Sequence, residues 1–221
     1  MEGSLSELDY QKLREYMVNT QIKARGIYDS KVLAAMLKVP RHEFVPQDMR
    51  PYAYEDRPLP IGEGQTISQP YMVALMTQCL ELEGSERILE IGAGSGYQAA
   101  ILAEIATSVC TIERFSSLLQ RAREVLDRLG YINYEARVGD GTLGWEEKAP
   151  FNGIMVTAGA PDVPPSLLEQ LADKGRLVIP IGPERYQTLY KIVKKGKKIK
   201  RDFVTYCSFV PLIGKEGWGN P

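Results

Sequence analysis

The stretch Ile88-Leu89-Glu90-Ile91-Gly92-Ala93-Gly94-Ser95-Gly96-Tyr97 decides the fold: an apolar strand breaks into three glycines and a helix begins at once. A turn of this kind brings backbone N–H groups close to a ligand at a helix N-terminus. In a dinucleotide fingerprint the glycines fall as G-x-G-x-x-G. Here they stand at 92, 94 and 96, and Tyr97 occupies the third fingerprint position. Glu90, two residues before Gly92, would repel a pyrophosphate, so the spacing points to a cationic or zwitterionic ligand.

Outward from this turn, strand and helix patterns alternate. Strands are expected over residues 87–91, 108–113, 134–138, 153–157 and 176–181, with helices over 97–105, 116–129 and 165–172. That is an α/β, doubly wound, Rossmann-like sheet, mostly parallel. Residues 187–210 alternate as antiparallel strands around Gly196, so a C-terminal hairpin should finish the sheet. Upstream, residues 8–24 and 30–38 carry apolar positions at helical spacing and form a small N-terminal helical unit. Between Pro40 and Pro70 six prolines and two glycines leave no long element, and a long ordered loop is expected. A further helix runs from Pro70 to about Leu82. The organisation is therefore residues 1–70, a helical unit with an active-site loop, packed on residues 71–221, a ligand-binding domain, in one compact unit.

Composition narrows the function. Of 221 residues, 44% are apolar and 25% charged, which excludes bulk disorder. Net charge is −1, which argues against a polyanion such as nucleic acid as the main partner. No apolar run approaches the roughly 18–20 residues that span a bilayer, and the first ten residues lack the order of a signal peptide. A cytoplasmic monomer with no membrane partner is expected. Cys79, Cys110 and Cys207 are too widely spaced for a zinc knuckle and read as reduced thiols. His42 is the sole histidine, so a Ser-His-Asp or His-metal mechanism would have to run through it. Its place at a helix exit reads instead as structural, and no metal is expected. The basic residues between Lys194 and Arg201, interrupted by Gly196 and without interleaved aromatics, read as a solvated hairpin tip.

Two more acids join Glu90. Glu113 ends the second strand 21 residues beyond Gly92, the offset of an acid that accepts ribose hydroxyls. Asp140, in Val138-Gly139-Asp140-Gly141, follows the third strand, where the crevice would meet an adenine. Each acid alone could be a turn or cap residue. Together, three acids at the ends of three adjacent strands describe an adenosyl ligand without phosphates, for which S-adenosylmethionine is the natural candidate.

With that ligand in view, the chain resembles a class I S-adenosylmethionine-dependent methyltransferase, and more narrowly the protein-L-isoaspartate(D-aspartate) O-methyltransferase family. The resemblance runs from about Met17 to Leu212. It rests on Val39-Pro40-Arg41-His42-Glu43-Phe44-Val45-Pro46, Gly64-Gln65-Thr66-Ile67-Ser68-Gln69-Pro70, Gly139-Asp140-Gly141 with Gly144-Trp145, Ala149-Pro150-Phe151, and Gly175-Arg176-Leu177 leading to Pro180-Ile181-Gly182. It implies that Ser68 is the active-site residue and that Gln65, Thr66 and Ile67 form a lid near the cofactor, with Tyr71 at its edge. It further places Glu90, Gly92, Gly94, Ser95 and Gly96 around the methionine part, Glu113 and Arg114 at the ribose, and Asp140 and Gly141 at the adenine. Phe151-Asn152 stands where the family pattern commonly has Tyr-Asp, and Ile213 where some members carry Thr.

The implied reaction is methyl transfer to the free α-carboxylate of L-isoaspartyl residues in damaged proteins, with S-adenosylhomocysteine as product and repair proceeding through a succinimide. A carboxylate with a pKa of about 3.5 is already ionised at pH 7, so no general base is needed. That agrees with a single histidine. On position alone Ser68 serves equally well as an N-cap for the helix near Pro70. Other functions stay open at this point: a methyltransferase for RNA or a small molecule, lacking the Asn-Pro-Pro-Tyr motif; a non-catalytic S-adenosylmethionine-binding module; and a nicotinamide oxidoreductase, disfavoured by Glu90 and the glycine spacing.

Overall fold

The first helix starts where Ser6 and Asp9 close a capping box, each side chain accepting from the other's backbone N–H. The computed structural model describes residues 6–219; the first five residues of the N-terminal unit, and Asn220 and Pro221, lie outside the described residues. Helix α1 (Glu7–Tyr16) continues into a π-helical turn, Met17–Ile22, whose Met17, Val18 and Ile22 are buried. Helix α2 (Ser30–Lys38) is capped by Asp29, which accepts from the N–H groups of Lys31 and Val32.

Residues 40–70 hold more structure than a loop. Two 3₁₀ turns, Arg41–Phe44 and Gln47–Tyr52, lead to an antiparallel hairpin of β1 (Leu59–Gly62) and β2 (Gln65–Ile67). Gly62, Glu63 and Gly64 all take positive φ at its tip. Leu59, Ile61 and Ile67 are the buried positions, an alternation hidden in the sequence by the surrounding prolines and glycines. Helix α3 (Pro70–Cys79) follows, with Pro70 in its first turn, where a missing N–H costs nothing.

The remaining elements are β3 (Arg87–Ile91), α4 (Tyr97–Ala103), β4 (Ser108–Glu113), α5 (Ser116–Arg128), β5 (Tyr134–Val138), β6 (Phe151–Val156), α6 (Pro165–Gln170), β7 (Leu171–Ile181), β8 (Gln187–Lys195) and β9 (Lys198–Cys207). They build one seven-stranded sheet in the order β5-β4-β3-β6-β7-β8-β9. The first five of these strands are parallel; β8 runs antiparallel to β7, and β9 to β8. The expected helix over 165–172 ends two residues early, because Leu171 already pairs with Phe151 at the start of β7. The order reverses at β3, flanked by β4 and β6, and ligands in open α/β sheets bind beyond the strand ends at such a switch point.

β3 is buried from Ile88 to Ile91, as a central parallel strand must be. The N-terminal unit packs on the sheet's helices: Met17, Ile22, Met36 and Phe44 share one apolar cluster with Tyr97 and Ile101 of α4 and Leu118 and Leu126 of α5. Each such buried side chain contributes about 1.5–3 kcal/mol, so residues before α3 are bonded to the sheet domain through its core.

Candidate active site

At the end of β3 the chain turns through Gly92, Gly94 and Gly96, with φ of +94°, +52° and +87°. This left-handed backbone carries little strain only for glycine. The turn is tied to β4: Gly92 N donates to Ile112 O at 2.8 Å, and Gly94 N to Glu113 Oε2 at 2.9 Å. A Cβ on Gly92 would overlap Thr157 Oγ1, which itself donates to the carbonyls of Ile91 and Gly92 at 2.9 and 2.8 Å. Gly96 serves packing: a Cβ there would press on Ala122 of α5.

Above the turn lies a cavity open to solvent. Gln65, Thr66, Ile67 and Ser68 border it from the hairpin side, Gly92, Gly94 and Ser95 from the glycine turn, and Glu113, Arg114 and Gly141 from the ends of β4 and β5. Ten of the residues expected at the site from sequence thus surround one space.

Of the three acids, Glu113 alone borders the cavity. Its second carboxylate oxygen accepts from Phe115 N at 3.0 Å, so each oxygen is fixed by one backbone donor. A carboxylate offers about four acceptor sites, and two are left for a ligand. Glu90 sits in the sheet below, fully buried, accepting the Thr111 hydroxyl at 2.5 Å on one oxygen while the other has no partner. Burial, with the Glu113 charge adding to it, pushes its carboxyl up to about 8, so it is largely a neutral acid at pH 7. Asp140 caps the turn of residues 141–143, accepting from Thr142 N and Oγ1 at 2.9 and 2.6 Å and from Lys215 N at 2.8 Å. Its neighbour Gly141 reaches the cavity instead. Tyr71 also stands off, its ring under the Arg25 guanidinium at 3.6 Å.

Ser68 does not cap α3. The N-cap is Gln69, without a side-chain hydrogen bond. Ser68 faces the cavity, and its carbonyl accepts from Arg41 Nη2 at 2.8 Å. His42 is buried and satisfied: Nδ1 is 2.8 Å from the Tyr54 hydroxyl, the ring stacks on Tyr10 at 3.8 Å, and Glu7 and Glu43 stand near Nε2.

Several bordering residues escape the sequence reading. Thr157 and Ala158 follow β6 at the switch point, a position from which they could have been foreseen. Gln98 enters from the second residue of α4 and donates to Thr77 Oγ1 at 3.0 Å. Val210, Pro211, Leu212 and Ile213 come from beyond β9, and of these the sequence singles out only Ile213, through its departure from the family pattern. Ile213 thus sits at the cavity with no hydroxyl to offer.

The family model described as protein-L-isoaspartate(D-aspartate) O-methyltransferase matches residues 12–217. A protein-L-isoaspartate O-methyltransferase of Geobacter metallireducens is 58% identical over 96% of this chain and 99% of its own length. The enzyme of the same name from Methanoculleus marisnigri is 55% identical over 93% of each chain. Among solved structures, one protein-L-isoaspartate O-methyltransferase superposes with a TM-score of 0.81 at 30% identity, covering 94% of this chain and 67% of that one. A Plasmodium falciparum candidate for the same activity, solved in complex with S-adenosyl-L-homocysteine, gives 0.77 at 28% identity over 92% and 98%.

Proposed function

From the premise that this chain belongs to the protein-L-isoaspartate(D-aspartate) O-methyltransferase family, methylating the free α-carboxylate of L-isoaspartyl residues with S-adenosylmethionine and so starting repair through a succinimide, we propose how its residues divide the work. Ser68 orients the acceptor carboxylate, Glu113 holds the ribose hydroxyls, and the turn from Gly92 to Ser95 lies against the methionine part. Gln65, Thr66 and Ile67 cover the cofactor, Arg114 flanks the ribose, and Gly141 flanks the adenine. Glu90 and Asp140 support that cradle from behind, Glu90 under the glycine turn and Asp140 by fixing the chain around Gly141.

The cavity fits this cofactor on its own chemistry. It sets a buried, pre-oriented carboxylate beside the glycine turn, whose Gly92, Ala93, Gly94 and Gly96 N–H groups are bonded to protein oxygens rather than presented to a pyrophosphate. S-adenosylmethionine, when bound, supplies a methyl group activated on a sulfonium. The chain's own task is then positional. The acceptor arrives ionised, so no side chain needs to take a proton. Holding reacting atoms in line can supply roughly 7–11 kcal/mol of the barrier, and one charge-assisted bond from the Ser68 hydroxyl adds about 1.5–3 kcal/mol.

The single observation that carries this reading is the meeting of Ser68 and Glu113 across one cavity from elements 45 positions apart in the chain. In this reading residues 1–70 supply the acceptor side and the cover of Gln65, Thr66 and Ile67, and residues 71–221 the rest of the cofactor side, of one working unit. We place it in the cytoplasm as a monomer that acts on isoaspartyl peptides and proteins and uses neither nucleic acid nor membrane; no helix among the described residues is long and apolar enough to cross one. Transfer of labelled methyl to an isoaspartyl peptide beside its aspartyl twin tests the assignment. Isoaspartate-only labelling that mild base removes supports it, and equal labelling of both peptides overturns it.

A further inference from the structure

The proposed reaction uses no charged residue on the acceptor side, yet one is buried there. Arg41 is 0% exposed. Its Nε donates to Ala53 O at 2.7 Å and its Nη2 to Ser68 O at 2.8 Å, while Nη1 has no hydrogen-bond partner. The guanidinium carbon lies 4.9 Å from the centre of the Tyr97 ring. Both Ser68 and Tyr97 border the cavity, so the cation stands directly behind its wall.

Among the described residues no carboxylate comes within ion-pair distance of Arg41. Asp56 is close enough to favour its charged form, but that carboxylate is bridged to Arg25 at 2.7 Å. Burial lowers the Arg41 pKa to about 10, which leaves it cationic at pH 7. An unpaired buried cation is costly and is retained where something repays it. We infer that Arg41 is a positioning residue whose buried charge, applied through the Ser68 segment, selects an anionic acceptor group over a neutral one of the same shape. This rests on the assignment of Ser68 to the acceptor side. It accounts for the uncharged Ser68 side of the cavity drawing in a carboxylate, while the cation that borders the cavity, Arg114, stands at the end of β4 among the cofactor residues. It also gives the methylated product a reason to leave, since esterification removes the charge that the cation attracts.

The test measures binding in the dead-end complex with S-adenosylhomocysteine, where no turnover intervenes. Two peptides are compared: one with isoaspartate, and the same peptide with isoasparagine, whose carboxamide replaces the carboxylate. The wild-type protein is expected to bind the first at least about tenfold more tightly. Arg41→Met is expected to lose that ratio, with affinity for the isoasparagine peptide and for S-adenosylhomocysteine changed less than twofold; Arg41→Lys is expected to retain it, even if its shorter side chain lowers kcat. Equal weakening of both peptides in Arg41→Met would mean only a displaced loop and overturns the inference, as does an unchanged ratio. If Arg41→Met does not fold, a folded Arg41→Lys that has lost the ratio overturns it and one that keeps it supports it. Failure of the wild-type protein to methylate the isoaspartyl peptide would strike the functional assignment instead, which keeps the two failures apart.

Discussion

Replacing Glu113 by alanine should weaken binding of S-adenosylhomocysteine on the order of a hundredfold while leaving the fold intact. The carboxylate is 5% exposed, and Gly94 N and Phe115 N hold its two oxygens at 2.9 and 3.0 Å. Its two free acceptor sites are the ones assigned to the ribose hydroxyls. Two charge-assisted bonds at about 1.5 kcal/mol each sum to about 3 kcal/mol, or roughly 150-fold in Kd. The truncation also strands two backbone N–H groups, at about 1–3 kcal/mol each when water cannot reach them; the cavity mouth lets water do so, and the melting temperature should fall by only a few degrees. Glu113→Gln sharpens the test. An amide oxygen can serve one of the two N–H donors, but its NH₂ must then confront the other, so an isosteric change still disturbs the turn. Calorimetric titration with S-adenosylhomocysteine, alongside near-UV circular dichroism, reads both effects. A native-like Glu113→Ala protein with Kd within twofold of wild type would refute the ribose assignment.

Ser68→Ala should lower kcat about tenfold to a hundredfold with cofactor affinity unchanged, measured by steady-state kinetics and calorimetry, since the bond lost is to the acceptor; a loss of cofactor affinity alone would remove Ser68 from the acceptor side. Gly92→Ala should cost about 2 kcal/mol or more of stability in chemical denaturation and abolish cofactor binding, because φ of +94° and the overlap with Thr157 Oγ1 act together. Glu90 has a folded-state pKa raised to about 8, against about 4.3 unfolded. The folded state therefore binds the extra proton between these values, and stability should be highest below pH 4.3 as far as this group is concerned and decline as pH rises toward 8. Urea midpoints for Glu90→Gln should decline less than wild type between pH 5 and 8, and parallel profiles would contradict a buried neutral acid. Isoaspartyl peptides should react about a hundredfold faster than aspartyl twins, since the extra methylene displaces the carboxylate by about 1 Å; a competition assay with both peptides would show it.

The centre of the parallel sheet was legible because β3 and β4 are short, largely apolar runs that end at a glycine and an acid, and both are buried almost throughout. The distance to Gly92 marks Glu113 for the crevice, and Glu113 borders the cavity. Glu90 and Asp140, which the motif marks equally, do not border it. In a strand, alternation sets which way a side chain points, and the sequence does not say which face meets the ligand. Glu90 shares the face of Ile88, toward Met76 and Leu80, and so lies beneath the turn rather than in the cavity. Asp140 had two available roles with the same spacing, and the nearby N–H groups of Thr142 and Lys215 claimed it. The β1–β2 hairpin was obscured because Pro60 and the glycines carry loop composition, whereas an edge ribbon tolerates Pro. Val210 to Ile213 reach the cavity only because β9 returns the chain to it, a consequence of topology that no local window contains.

The N-terminal 70 residues gain their purpose from where they pack. A sheet of this kind can bind an adenosyl group with its own loops, since Glu113, Gly92, Gly94 and Gly141 all come from β3, β4 and β5 or the turns after them. In the proposed division of labour the hairpin and Ser68 supply the methyl side, and they are held by three bonds: Arg121 Nη2 of α5 donates to Ile61 O at 3.0 Å, Ser117 Oγ to Glu63 Oε1 at 2.6 Å, and Arg41 Nη2 to Ser68 O at 2.8 Å. The second is exposed and the first and third are part-buried, and the third holds the residue assigned to the acceptor. Tyr97 joins the two halves, opening α4 after the glycine turn while meeting Phe44 edge-on at 5.5 Å and lying beside Arg41. The residue that stands where a dinucleotide site would need its third glycine is thus the one that ties the cofactor turn to the acceptor loop, and a reaction needing alignment but no proton transfer is served by that rigid connection.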